Sequence, residues 1–131
     1  MHIVIAGQPV SKKNSQQIVM NPKTKRPFVM PSKAYKVYEK EALKQIEAQF
    51  SSIDRYYLPF DGPCEVVCKF YMGTRRKVDL TNLLESADDI LVRGGVLEDD
   101  NCNVIVSHDG SRVYYDKDNP RTEIDIIELV L

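Results

Sequence analysis

Apolar and polar positions change period several times along the chain, and each change marks an element. Cys64, Val66, Cys68 and Phe70 alternate with Glu65, Val67, Lys69 and Tyr71, which predicts a central strand over Cys64 to Met72. His2 to Ala6, rich in Ile and Val and closed by Gly7 and Pro9, predicts a first strand. Gln16 to Met20 and Pro27 to Met30 are short strand-like runs around the turn-rich Asn21-Pro22-Lys23-Thr24-Lys25, so a projecting hairpin is expected. Behind a capping Ser32, the residues Tyr35, Tyr38, Ala42, Leu43, Ile46 and Phe50 recur at helical spacing. A second helix starts at Asp79 or Thr81 and reaches about Arg93, where Gly94-Gly95 supplies the left-handed residue that commonly ends helices. Its apolar stripe is Leu80, Leu84, Ala87 and Leu91, with Leu83 and Ile90 at the margin; Asn82, Glu85, Ser86 and Asp89 form a second, polar stripe. Residues 51–63 read as a connecting loop whose Tyr56, Tyr57 and Phe60 pack onto the core. Val104 to Val106 and Arg112 to Tyr115 flank Ser107-His108-Asp109-Gly110, where Asp-Gly signals a hairpin. Thr122 to Leu131 reads as a last strand, buried towards its end.

A length of 131 residues leaves room for one domain, residues 1–131. With 43% apolar and 28% charged residues and only 6 Gly and 7 Pro, the chain can bury a core, which excludes collagen-like and low-complexity readings. Apolar runs are no longer than a few residues, as in Val104-Ile105-Val106, so no membrane-spanning helix or signal-peptide core can be placed and a cytoplasmic location is expected. Cys64, Cys68 and Cys102 are an odd number without a Cys-x-x-Cys pair, which favours reduced, mostly buried thiols over disulfides or a thiolate zinc site.

The net charge of −1 conceals an asymmetry. Residues 1–50 carry 9 Lys+Arg against 3 Asp+Glu, and the remainder carries 9 against 16; no acid occurs before Glu39. A basic surface facing phosphates and an acidic centre holding metal would produce this distribution, and so would ordinary solvated charge.

The acids have their own pattern. Asn82, Glu85 and Asp89 lie three or four residues apart and share one helix face, while Asp79 at the helix start and the Glu98-Asp99-Asp100 turn beyond its end join them only through folding. Carboxylates gathered in this way repel one another, and a hard divalent cation such as Mg²⁺ or Mn²⁺ relieves that repulsion through oxygen ligands. The plain structural reading gives Asp79 as a helix cap, Asn82 and Glu85 as a solvated face and Asp99-Asp100-Asn101 as a polar turn, and residue types alone leave the two readings even. His2, in a strand, and His108, in a turn, read as structural or solvated rather than as ligands. Tyr114-Tyr115 and Tyr56-Tyr57 can stack on unpaired bases, although core packing is the commoner fate. Nothing favours a Ser-His-Asp or Cys-His nucleophile, a phosphate-cradling glycine loop or a haem site.

These motifs resemble the RusA family of Holliday junction resolvases, small metal-dependent endodeoxyribonucleases often carried by phages and prophages. Gly7-Gln8-Pro9-Val10-Ser11-Lys12-Lys13-Asn14 resembles the family's opening Gly-x-Pro basic loop. The family's central pattern is Asp-x-Asp-Asn-Leu-x-Lys, an Asp four residues on, then Gly-x-x-x-Asp-Asp; Asp79, Asn82, Leu83, Asp89, Gly95, Asp99 and Asp100 fall in register with it. The resemblance implies Asp79 and Asp100 as catalytic metal ligands, Asp99 and Asp89 as supporting acids, and Asn82 as the residue that orients them. Two positions depart from the pattern: Thr81 stands where a second Asp is expected, and Glu85 where a catalytic Lys is expected. Glu85 then becomes a candidate replacement ligand, with Lys77, Arg75, Arg76 or Lys12 as candidates for the missing cation. DNA contacts are expected from Lys12, Lys13, Asn14, Lys23, Lys25, Arg26, Arg75, Arg76 and Lys77. The resemblance further implies a compact α+β domain, a mixed sheet with two main helices on one side. It implies a homodimer resolving four-way junctions in DNA recombination and repair, with metal-activated water as the nucleophile. A module that binds branched DNA without cutting it is the alternative that Thr81 and Glu85 raise.

Overall fold

The computed structural model describes residues 1–13, 17–30 and 32–130. Its elements in chain order are β1 (His2–Ala6), β2 (Gln17–Met20), β3 (Pro27–Met30), α1 (Lys33–Ala48), α2 (Ser52–Tyr57), β4 (Cys64–Met72), α3 (Leu80–Arg93), β5 (Ile105–Ser107), β6 (Arg112–Tyr115) and β7 (Arg121–Glu128). The architecture is a single α+β domain with a mixed sheet, as the resemblance implies. The central strand is β4, antiparallel to β7 along one edge, and β7 is in turn antiparallel to β1. Along its other edge β4 takes β5 and β6, both parallel to it.

Burial in β4 alternates strictly: Cys64, Val66, Cys68, Phe70 and Met72 are buried beneath the helices. That face meets Ile3 and Ile5 of β1, Ile124 and Ile126 of β7, Ala42 and Ile46 of α1, and Leu83, Ala87, Ile90 and Leu91 of α3, in one apolar core. Cys64 and Cys68 are buried thiols and Cys102 an exposed one; all three are free. Helix α1 also closes the sheet's outer edge. The Gln49 side chain accepts from Val4 N and donates to Val4 O at 3.0 and 2.7 Å, and Gln45 does the same for Ala6 at 2.7 and 3.3 Å.

Several elements differ from the sequence-based expectation. β5 and β6 form no hairpin; they run in the same direction, end to end, against β4. Between them His108 Nδ1 donates to Val66 O at 2.8 Å and Ser111 Oγ accepts from Cys68 N at 2.9 Å. Side chains thus serve the β4 groups that the interrupted strand leaves open, and Gly110 turns the chain at φ +90°. Within residues 51–63, α2 forms behind a reciprocal cap between Ser51 and Asp54. It buries no residue, so Tyr56 and Tyr57 are exposed and only Phe60 packs on the core. The buried stripe of α3 is rotated: Leu83 and Ile90 are central, Leu80 and Leu84 are partly buried, and Ser86 lies inside because its hydroxyl accepts from Lys12 N at 2.8 Å. The last strand ends at Glu128 with exposed residues instead of buried ones, and Leu131 and Gln16 lie outside the described residues.

Candidate functional site

Helix α3 begins at Asp79, whose backbone is extended (φ −92°, ψ 121°) and whose side chain makes no capping hydrogen bond. An Asp at this position ordinarily accepts from the second or third amide of the helix. Here its Oδ2 accepts instead from Asn82 Nδ2 at 3.2 Å. Asn82, Glu85 and Asp89 then continue along one face at helical spacing. The loop after β1 lies across this face, where Lys13 Nζ pairs with Glu85 Oε2 at 2.9 Å. Lys12 stands close enough to Asp89 to favour its ionised form. Burial, reinforced by Asp100, Glu85 and Asp88, outweighs that help and holds the Asp89 carboxyl above its ordinary value.

Asp89, Asp99 and Asp100 line one open depression of about 280 Å³ with Lys12, Glu39 and Arg93. Asp99 is fastened into its turn, accepting from Asp100 N at 2.7 Å and from Asn101 Nδ2 at 3.0 Å. The backbone donor and the amide keep its carboxyl below the ordinary value. Arg93 Nη1 reaches Glu39 Oε1 at 2.6 Å and ties the end of α3 to α1.

The structure therefore brings Asp89, Asp99 and Asp100 together with Lys12, and Lys13 together with Glu85. Asp79 stands at the other end of the helix, ten residues before Asp89, about 15 Å along the axis. Among the described residues no three of His, Cys, Asp and Glu are grouped so as to hold one ion. Lys23, Lys25 and Arg26 are exposed at the tip of the hairpin formed by β2 and β3. Arg75 lies 3.9 Å over the Tyr115 ring, while Arg76 and Lys77 line a cleft of about 750 Å³ beside the start of α3. Asn14 lies outside the described residues.

Sequence reasoning missed Lys117, which lines the same cleft, and the pair formed by Asp88 and His108. His108 Nε2 lies 2.9 Å from Asp88 Oδ2. Burial raises the Asp88 carboxyl, and the hydrogen bond to Asp88 raises the His108 imidazole. Asp88 carried a legible signal: it follows Leu84 by four residues and precedes Leu91 by three, on the inward margin of the helix. Lys117 carried none, because its neighbours in the cleft come from distant parts of the chain.

An acid-bearing helix face crossed by lysines, with a basic cleft at its start, offers cations that a phosphate backbone can meet beside oxygen donors. The family model of endodeoxyribonuclease RusA matches residues 6–127 of the 131, and the chain belongs to that family of DNA-cutting endonucleases. No curated protein matches the sequence.

Proposed function

We propose that the chain is a Mg²⁺- or Mn²⁺-dependent endonuclease that cuts phosphodiesters in branched DNA, acting as a homodimer on four-way junctions. The observation that carries this reading is the Asp79 carboxylate, which stands at the start of α3 without capping it and accepts instead from Asn82. Hard cations take oxygen ligands, and Mg²⁺ usually takes one or two protein carboxylates with water and phosphate completing the shell. Asp79 at one end, and Asp89 with Asp100 at the other, supply donors of that kind, with Glu85 between them. A bound ion supplies an activated water and offsets charge on the leaving oxygen.

The chain's own share is positioning. Asn82 orients Asp79, and Asp99 shapes the turn that presents Asp100. Lys13 brings a cation to position 85: its ammonium lies 2.9 Å from Glu85, the residue that stands where the family pattern has a lysine. Lys12, Arg75, Arg76 and Lys77 hold the DNA backbone, and the hairpin tip with Lys23, Lys25 and Arg26 reaches the junction arms. Exposed Ile18, Met20 and Val29 on that hairpin support the homodimer, for which light scattering should report twice the 15.0 kDa chain mass.

The test is incubation of the purified protein with an end-labelled four-way junction and a linear duplex, in EDTA, Mg²⁺ or Mn²⁺, beside Asp79→Asn. Paired, metal-dependent cuts confined to the junction and lost in the variant are expected. Salt-sensitive junction binding without product under either metal would replace this reading by the binding-only module that Thr81 and Glu85 raise.

A further inference from the structure

The cleft beside the start of α3 holds charge that the fold does not answer. Arg76, Lys77 and Lys117 all line it, no carboxylate does, and none of the three forms an ion pair with a described carboxylate. Elsewhere Lys13 is matched by Glu85, Arg93 by Glu39, and Arg121 by Asp116 and Glu123; what sets the cleft apart is that its three cations share one recess without a carboxylate. Three like charges around one recess repel one another and draw an anion.

The recess is also apolar within. Val10, Met72, Val78 and Leu83 line it. Its walls come from separate segments joined by hydrogen bonds: Gly73 N donates to Gln8 Oε1 at 2.6 Å, and Gly7 N donates to Pro120 O at 3.0 Å. A Cβ at Gly73 would stand 2.9 Å from the same Gln8 oxygen, so glycine permits this closure. The cleft is therefore preformed, and at about 750 Å³ it falls within the usual range for small-ligand sites.

A phosphate alone would use the cations and leave the half-buried Val10 and Val78 facing water. A duplex backbone would use cations on an open surface and need no recess. We infer that the cleft takes one unpaired nucleotide of the DNA, its base against Val10 and Val78, which cover the buried Met72 and Leu83, and its phosphate on Arg76, Lys77 and Lys117. Val78, which lines the cleft, directly precedes Asp79, so the bound nucleotide meets the acidic face at its first residue. This inference rests on the DNA reading proposed above and adds to it a subsite and the role of Lys117.

The experiment is an NMR titration of the full chain, without metal, with thymidine monophosphate, thymidine and inorganic phosphate in turn, repeated on Lys117→Ala. The monophosphate should shift the signals of Val10, Met72, Val78 and Leu83 together and saturably, and phosphate should leave those signals in place. Exposed Lys117 can lose its side chain without disturbing the core, and the variant should bind the monophosphate about tenfold more weakly. Equal shifts from phosphate and nucleotide, no shift at these four residues, or unchanged affinity in Lys117→Ala would overturn the inference. Neither metal nor cutting enters the titration. A chain that cuts junctions but ignores the nucleotide loses only the cleft assignment, and one that takes the nucleotide but never cuts loses only the nuclease reading.

Discussion

Lys117 and Arg121 flank the same turn at one end of the sheet, yet the fold treats them in opposite ways. Arg121 is paired twice over: Nη1 reaches Asp116 Oδ2 and Nε reaches Glu123 Oε2, each at 2.9 Å, while the guanidinium lies 3.8 Å over the Tyr71 ring. Tyr71 in turn stacks on Tyr114 with centroids 4.9 Å apart. Lys117, like Arg76 and Lys77 around the cleft, has no ion-pair partner among the described residues. The acids divide similarly. Asp116, held chiefly by the Arg121 hydrogen bond, and Asp99, held by the Asp100 amide and the Asn101 side chain, lie below their ordinary carboxyl values, whereas burial and neighbouring acids hold Asp89 above it. Arg121 is surrounded by its complements, while Lys117, Arg76 and Lys77 are the charges that the proposed nucleotide would answer.

Substitutions can break this contrast, beginning with the largest effect. Asp79→Asn should reduce junction cutting by about two orders of magnitude or more, the scale on which single catalytic groups act, while leaving gel-shift affinity for the junction largely unchanged. Retained cutting would remove Asp79 from the reaction. Replacing Arg76 and Lys77 together by Ala should reduce the slope of log affinity against log salt by about two and leave the melting temperature in place. Arg121→Ala should do the reverse: a melting temperature several degrees lower and an unchanged salt slope. A lower slope in that variant would place Arg121 on the DNA and end the distinction.

The smallest effect concerns pH. Because the hydrogen bond to Asp88 raises the His108 pKa in the native state, folding holds that proton more tightly than the unfolded chain does. Its stabilisation is complete below the ordinary imidazole value of 6.5 and is lost as pH rises through the higher native value. Melting temperatures measured from pH 6 upward should therefore decline slightly, with a flatter profile for His108→Gln. A profile unchanged by the substitution would show that His108 does not carry the dependence.

What could be read from residues alone depended on how local the determining physics is. β4 is legible because burial on one face writes a period of two, and α1 because its apolar residues recur at helical spacing behind Ser32. The Asp109-Gly110 turn is a local fact, but the partner of the strand after it is a long-range one, decided by the open edge of β4. The Ser51 and Asp54 cap lies in plain view three residues apart, and its exposed helix was obscured by the apolar look of Ile53, Tyr56 and Tyr57. At the site, the shared face of Asn82, Glu85 and Asp89 follows from helix geometry. The meeting of Lys13 with Glu85 does not, because it depends on where the loop after β1 settles, and Ser86 anchors that loop through Lys12 N.

The glutamines on α1 have a consequence beyond the fold. A bare outer strand is a template on which another chain can add by backbone hydrogen bonding, the route to open-ended fibres. Gln45 and Gln49 occupy the outward amides and carbonyls of Val4 and Ala6, and on the far side the break between β5 and β6 leaves only short runs of strand. At this edge copies of the chain are thereby denied the indiscriminate route, and contact there falls to side-chain surfaces, where shape and charge decide what joins.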